Sequence, residues 1–286
     1  MALRRVDSEL VRRKLADSRT QAQALISAGR VWADGLLVEK PAKQINSDAS
    51  LRVEAAPNAE DDYVSRGAHK LIGALDALGA AGPDLEGMRC VDVGASTGGF
   101  TEVLLRRGAA SVVAIDVGYG QLAWKLRQDP RVEVRERTNA RYLKAGDIDP
   151  EPDLFVGDLS FISLELIIPA LCAAGANASQ LLMVKPQFEV GKGKLGAGGV
   201  VRNLPDRIGA VAKVAHCAEA NGLGINQVAA SPLPGPSGNV EYFLWMTPIR
   251  QLKTWLTGRE LDAAIREAVE TGPLGAATVN VVDTRI

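Results

Sequence analysis

Residues Cys90 to Phe100 read CVDVGASTGGF, a glycine-rich turn set between two runs of different period. Met88–Val93 is short and apolar with an acid, Asp92, near its end, which predicts a buried strand. Phe100 to Leu105 then restarts at helical spacing. A strand, a glycine turn and a helix N-terminus in this order hold nucleotide-like ligands in doubly wound α/β proteins, because glycine lets the backbone come close. Gly94, Gly98 and Gly99 are spaced G-x-x-x-G-G, which fails the dinucleotide fingerprint, and no lysine follows in the P-loop position. Asp92, Gly94, Ala95, Ser96, Thr97, Gly98, Gly99 and Phe100 are therefore the first candidates for cofactor contact. Four charged residues elsewhere fall at the ends of predicted elements. Lys70 opens a helix, Asp158 and Lys185 end strands, and Glu241 begins one. Ligands and catalysis sit at such strand ends.

The elements that must position these residues alternate as a βα fold requires. Ser111–Ile115 reads as a second strand and delivers Asp116, which either accepts hydrogen bonds from ribose hydroxyls or caps a helix. A helix over Gln121–Arg127 leads to a third strand, Val132–Val134, with Thr138 and Asn139 in the loop beyond it. Asp153–Gly157 and Gln180–Val184 are the fourth and fifth strands. Tyr242–Met246 is another, after the Pro- and Gly-rich loop Ser231–Asn239. Val190–Gly199 is basic and glycine-rich, either a loop that grips substrate or a solvated linker. Gly258 is expected to break the chain before a last helix, Arg259–Thr271.

The first 30 residues have a different character. Arg4, Arg5, Arg12, Arg13, Lys14, Arg19 and Arg30 face only Asp7, Glu9 and Asp17, a local charge of +4 that leaves −5 for the rest of a chain with net charge −1. Such asymmetry fits a basic contact module joined to a neutral or acidic core, or else a solvated helical face. Ser18-Arg19-Thr20-Gln21 has capping-box spacing and starts a helix whose Ala22, Leu25 and Ile26 share one face. Gly29 ends it. Val31–Ala33, the turn Asp34-Gly35 and Leu36–Val38 read as a hairpin, with Leu51–Glu54 as a third strand.

A chain of 286 residues that is 47% hydrophobic can bury one full α/β core and a small second domain. Cys90, Cys172 and Cys217 are far apart, so reduced thiols in a cytoplasmic protein are expected and a metal site is not. No apolar run approaches the roughly 20 residues a membrane helix needs. The N-terminus lacks the apolar stretch of a secretory signal. Nothing in the sequence speaks to oligomeric state.

The acid-then-glycine turn is similar to that of S-adenosylmethionine (SAM) methyltransferases, whose adenine contact usually falls where Asn139 stands. The stretch from Arg19-Thr20-Gln21-Ala22 to Gly29-Arg30-Val31-Trp32-Ala33-Asp34-Gly35 resembles the S4 RNA-binding domain. That resemblance implies RNA contact through Arg4, Arg5, Arg12, Arg13, Lys14, Arg19 and Arg30, largely to phosphates. Lys70, Asp158, Lys185 and Glu241, in this order and placement, resemble the set of the FtsJ-like (RrmJ-type) ribose 2′-O-methyltransferases. With VSRGAHKL, VDVGASTGGFTE, DVGYGQL, DLSFIS, VKPQFE and SPLPGPSGNVEYFLW, the whole chain resembles the TlyA, or haemolysin A, family of ribosomal RNA methyltransferases.

That resemblance implies a Rossmann-like, mixed seven-stranded methyltransferase fold. The expected boundaries are an S4-like domain over 1–56, a linker over 57–64, the methyltransferase domain over 65–272 and a tail over 273–286. It implies SAM as cofactor, ribosomal RNA or ribosomal subunits as partner, and 2′-O-methylation of cytidine in the small subunit, the large subunit or both. The S4 helix pair and the C-terminal helix favour both. A ribose hydroxyl is a poor nucleophile, and a lysine takes its proton only when neutral, which its ordinary value of about 10.4 opposes. The resemblance makes Lys185 that base and Lys70 a second cation, with Asp158 and Glu241 orienting the two amines and Asp158 also bordering the cofactor. Phe161 either stacks on an exposed target base or packs in the core. The competing expectations are a non-catalytic ribosome-assembly factor, which would not need all four charged residues, and a pore-forming haemolysin, which would need a membrane-active segment.

Overall fold

The computed structural model describes residues 3–16, 18–54 and 62–273. Most of the expected linker and all but the first residue of the expected tail therefore lie outside the described residues. Chain contacts divide the molecule into two compact units, one ending at Ser65 and taking in Ala123–Lys125, the other formed by the remainder.

The N-terminal unit runs β1 (Leu3–Arg5), α1 (Val6–Arg12), α2 (Arg19–Ser27), β2 (Val31–Ala33), β3 (Leu36–Leu37), β4 (Gln44–Asn46) and β5 (Leu51–Val53). Ser18 caps α2 as its spacing predicts, its Oγ accepting from Gln21 N at 3.1 Å. Asp34 and Gly35 both have positive φ, the conformation a two-residue hairpin turn needs, and β3, β2 and β5 form one antiparallel sheet in that order. A second ribbon, β1 against β4, has no counterpart among the sequence-predicted elements. Val6, Leu10, Ala22, Ile26, Val31 and Ile45 make the core, so the helices and both ribbons bury one face each against a common centre.

From Arg66 on, the chain forms α3 (Gly67–Leu78), β6 (Arg89–Val93), α4 (Gly99–Arg106), β7 (Ser111–Ile115), α5 (Trp124–Arg127, its first two residues falling with the N-terminal unit), β8 (Val132–Arg135), β9 (Leu154–Gly157), α6 (Ile168–Ala174), β10 (Ser179–Val184), α7 (Pro186–Glu189), α8 (Leu204–Ala220), β11 (Leu223–Ala230), β12 (Tyr242–Pro248) and α9 (Gly258–Thr271). These seven strands lie in the order β11-β12-β10-β9-β6-β7-β8. The five from β10 to β8 are parallel, and β12 is antiparallel to both of its neighbours. The mixed seven-stranded expectation holds. The predicted helix over Gln121–Arg127 shortens to the single turn of α5, while α8 and β11 were not predicted at all.

Strands β6, β9 and β10 are buried along their length, which is why they read as continuous apolar runs rather than alternating ones. Strand order reverses between β6 and β9, so their carboxyl ends flank the crevice where open α/β sheets bind ligands. Gly94 follows β6 and Asp158 follows β9 at that point. A Cβ on Gly94, whose φ is +84°, would lie 2.9 Å from Asp158 O. Only glycine allows these two chain segments to close on each other.

Candidate active site

Each of the four predicted charged residues sits where an element ends, and the fold joins them in two pairs. Lys70, on the first turn of α3, places Nζ 2.5 Å from Glu241 Oε2, and both side chains are buried. Two close approaches surround the pair, one between α3 and the Pro- and Gly-rich loop and one between that loop and Glu241. A Cβ on Gly73 would meet Pro232 Cγ at 2.3 Å, and one on Gly235 would meet Glu241 Oε1 at 2.7 Å. The Pro- and Gly-rich loop thus lies flat against the helix one turn beyond Lys70, and the glycines make room for it.

Lys185 places Nζ 2.5 Å from Asp158 Oδ1 and donates a directed hydrogen bond to Ser160 Oγ at 2.7 Å. The two pairs are neighbours in the sheet. Val184 is opposite Tyr242 across β10 and β12, so the next positions, Lys185 and Glu241, continue the same antiparallel register. Parallel pairing of β9 with β10 brings Asp158 to Lys185 from the other side. Ser160 was not among the predicted residues; its place two positions after Asp158 in a polar loop offers no separate signal.

On the other side of Gly94 lies a cleft lined by Ala95, Ser96, Ala114, Asp116, Gly118, Gln121, Leu122, Val134 and Glu136. Asp116 accepts from Ser96 N at 2.8 Å and from Gly118 N at 2.7 Å. A carboxylate has about four acceptor positions, so two remain for the hydroxyls of a ribose. Gly118 lets Gln121 and Asp116 close on the chain, since a Cβ there would lie 2.4 Å from Gln121 Nε2 and 3.0 Å from Asp116 Oδ1. These residues fit an adenosine-bearing cofactor. Among the predicted contacts, Ala95, Ser96 and Asp116 line the cleft; Gln121 and Glu136 join them unpredicted.

Three predicted cofactor residues, Asp92, Phe100 and Asn139, do not line the cleft. Asp92 is fully buried, and its Oδ2 accepts from Thr101 N at 2.8 Å and Thr101 Oγ1 at 2.7 Å, fastening α4 to β6. Burial pushes the Asp92 carboxyl up to about 7, against the Thr101 hydrogen bonds. Phe100 is buried with its ring stacked on Phe243, centroids 6.2 Å apart, so it packs the core. The Asn139 side chain accepts from Arg141 N at 3.0 Å and starts the turn Ala140–Tyr142. The turn glycines Gly98 and Gly99 close the chain on α4: at Gly98, φ is +96° and a Cβ would strike Leu126 Cδ1 at 2.3 Å. Thr97, between them and Ser96, is half-buried.

Phe161 does not pack in the core. It is 91% exposed, with φ of +65° and its ring 5.3 Å from that of Phe188. The basic stretch from Val190 is tied down rather than free: Asn239 Nδ2 donates to Gly199 O at 3.0 Å, Val201 N donates to Asn239 Oδ1 at 2.9 Å, and Lys194 pairs with Asp206. Among the described residues no group of His, Cys, Asp and Glu could hold a metal, and no helix is long and apolar enough to cross a membrane.

In the N-terminal unit the arginines are held by two buried acids. Asp7 accepts a two-pronged contact from Arg5, at 3.1 and 2.8 Å, and a third from Arg19 at 3.1 Å. Glu9 takes Arg12 at 2.8 and 2.5 Å and Arg13 at 2.8 Å. Arg13 also donates to Ala49 O and Ser47 O, and Arg30 is engaged by Glu54 O and Asp62. Both of these are structural ties. Arg4, Arg12, Lys14 and Arg19 present exposed side chains.

Comparison with known proteins agrees with this division. Residues 63–247 match the family model for FtsJ-like methyltransferases, and residues 4–50 match that for the S4 domain. A 16S/23S rRNA (cytidine-2′-O)-methyltransferase, TlyA of Mycobacterium tuberculosis, is 54% identical over 94% of this chain and 98% of its own length. Hemolysin A of Brachyspira hyodysenteriae is 36% identical over 83% of this chain and 97% of its own. A solved structure of a candidate hemolysin from Streptococcus thermophilus is 35% identical and superposes with a TM-score of 0.71, covering 94% of this chain and 95% of that one.

Proposed function

Because the chain belongs to the TlyA family, with an S4 domain followed by an FtsJ-like methyltransferase domain, we propose that it methylates the 2′-hydroxyl of cytidine ribose in ribosomal RNA. One observation carries the reading: the Lys185–Asp158 pair stands at the strand-order reversal beside the glycine turn, with Lys70–Glu241 next to it in register. A catalytic amine and a nucleotide cleft thus open on the same sheet edge. The likeness to a 16S/23S enzyme over nearly the whole chain supports both ribosomal subunits as substrates.

SAM would be held by Ala95, Ser96 and Asp116 beside the Gly94–Gly99 turn, and would supply an activated methyl group with a neutral thioether as the leaving group. Lys185 takes the proton of the ribose 2′-hydroxyl at Nζ. Asp158 and Ser160 aim that nitrogen at the crevice, which removes the orientational search from the step. Lys70, fixed by Glu241, adds a positive charge on the same edge and stabilises the oxygen as it loses its proton. Phe161 offers an exposed aromatic face on which an unstacked base can rest. Arg4, Arg12, Lys14 and Arg19 of the S4 unit hold phosphates.

The test is direct. Purified protein is incubated with methyl-labelled SAM and isolated small and large ribosomal subunits, and 2′-O-methyl positions are mapped. Transfer to cytidine ribose that disappears in Lys185→Ala is the expected result; transfer to a base, or transfer that survives Lys185→Ala, overturns the mechanism. Removing residues 1–56 should abolish RNA binding and leave SAM binding intact.

A further inference from the structure

We propose that Glu189 is a positioning residue: from the helix that follows Lys185 it grips the loop that follows Asp158 and so presents Phe161. The inference rests on the functional reading above and adds to it the device that keeps the base-stacking ring in place. Phe161 is in an unusual state. A bulky non-glycine residue at φ of +65° is a true outlier, and its ring is 91% exposed. Such strain, together with so much apolar surface in water, persists only where neighbouring contacts over-determine the backbone.

Those contacts come from one direction, the segment Lys185–Glu189. On the near side of Phe161, Ser160 Oγ accepts from Lys185 Nζ at 2.7 Å. On the far side, Ser163 Oγ donates to Glu189 Oε2 at 2.6 Å and Leu164 N donates to Glu189 Oε1 at 2.9 Å. The ring itself leans on Phe188, centroids 5.3 Å apart at 49°. Glu189 is 5% exposed, and burial pushes its carboxyl up while the Ser163 hydrogen bond opposes that shift. A buried acid with both oxygens committed to one loop is costly to retain unless its bonds are made. Lys213 of α8 adds a second tie, bonding Glu189 O at 3.2 Å and pairing with Glu165 at 2.5 Å.

The chemistry predicts which substitutions matter. A carboxylate accepts from a hydroxyl and an amide one residue apart. Glutamine keeps an oxygen for Leu164 N and can donate to Ser163 Oγ, so Glu189→Gln should keep the grip. Alanine leaves Ser163 and Leu164 N without their acceptor.

Full-length Glu189→Ala, Glu189→Gln, Phe161→Ala and the Phe161→Ala/Glu189→Ala double variant are compared for SAM affinity, rRNA methylation and hydrogen exchange across residues 159–166. Glu189→Ala should lose about tenfold or more in kcat/KM for ribosomal RNA, the scale of one lost base stack, with SAM affinity unchanged. Its exchange across the loop should rise, Glu189→Gln should restore both, and the double variant should be no worse than Phe161→Ala. If Glu189→Ala fails to fold, Ser163→Ala replaces it in the same comparison. Wild-type methylation or unchanged loop exchange in Glu189→Ala overturns the proposal and leaves the functional reading intact, as does a loss that adds in full to that of Phe161→Ala. A wild-type protein that transfers no methyl group to rRNA overturns the reading instead, and loop exchange still decides whether Glu189 holds the loop.

Discussion

Both units of the molecule pair basic side chains with acids, and they differ in where the cation ends up. In the N-terminal unit Asp7 and Glu9 have fully buried side chains, while their partners Arg5, Arg12 and Arg19 remain 41%, 52% and 57% exposed. At the sheet edge of the larger unit the lysines are buried: Lys70 is 6% exposed beside Glu241 at 1%, and Lys185 is 9% exposed beside Asp158 at 23%. An arginine anchored at one side of its guanidinium still shows donors to solvent, which suits a phosphate. A lysine withdrawn from water beside an acid shows little of its amine to solvent, which suits one proton at one atom. Under the proposed function the same kind of ion pair would serve contact in one unit and chemistry in the other, with burial of the cation as the difference between them.

The largest expected effect lies at the catalytic edge. Lys185→Ala should lower methyl transfer by about 10²- to 10⁴-fold, the usual contribution of a positioned acid or base, with SAM affinity retained. A loss of only a fewfold would move Lys185 from the chemistry to the surroundings.

Next comes the fully enclosed pair. Glu241→Gln leaves the Lys70 ammonium buried without its counter-charge and should cost about 3–5 kcal/mol, read as a fall in denaturation midpoint. Lys70→Met combined with Glu241→Gln should recover stability without recovering activity. Recovery of both would mean the pair is only structural.

In the N-terminal unit the sign is the test. Asp7→Asn removes a negative charge, so bulk electrostatics alone would tighten RNA binding. Release of Arg5 and Arg19 should instead weaken it by about fivefold, because unheld side chains must be ordered again on binding. Tighter binding would show that Asp7 merely offsets charge.

The smallest effects are in pH. The hydrogen bonds from Arg12 and then Arg13 hold Glu9 down at about 2, against 4.5 unfolded. Its contribution is complete above pH 4.5 and lost as pH falls towards 2. The Asp7 carboxyl, lowered chiefly by the Arg5 hydrogen bond, acts in the same direction. Asp92 has the opposite sign: raised from 3.8 to about 7, it keeps a proton that the unfolded chain has released, so stability falls as pH rises through that window. The melting temperature of Asp92→Asn, relative to wild type, should therefore climb between pH 5 and 8. Parallel curves would remove Asp92 from the account.

Much of this was legible from residue order. β6, β9 and β10 announced themselves as short apolar runs ending in a polar residue, and Ser18 and Asp34-Gly35 marked a helix start and a hairpin turn. Lys70, Asp158, Lys185 and Glu241 could be singled out because each abuts such an element. α8 and β11 escaped, since an alanine-rich helix shows little contrast between its faces and an edge strand takes its place from β12. The first ribbon escaped because β1 and β4 are short and roughly 40 residues apart.

The roles of individual side chains were less legible. Asp92 and Phe100 lie in the glycine motif but engage Thr101 and Phe243 and do not line the cleft, which only the packing of β6 and α4 decides. Glu189, Ser160 and Ser163 look like ordinary polar residues in sequence.

Residue order by itself determined the strand–glycine–helix turn, the basic N-terminal module and the four charged residues, because these depend on period, capping and composition, which act over a few neighbours. Tertiary structure alone decided that Lys70 meets Glu241 across 171 positions, that Lys185 meets Asp158, and that Asp7 and Glu9 hold the arginines. Those pairings follow from strand order, register and the close approach of Gly73 and Gly94 to their neighbours. Burial then sets how far each charge is withdrawn from water.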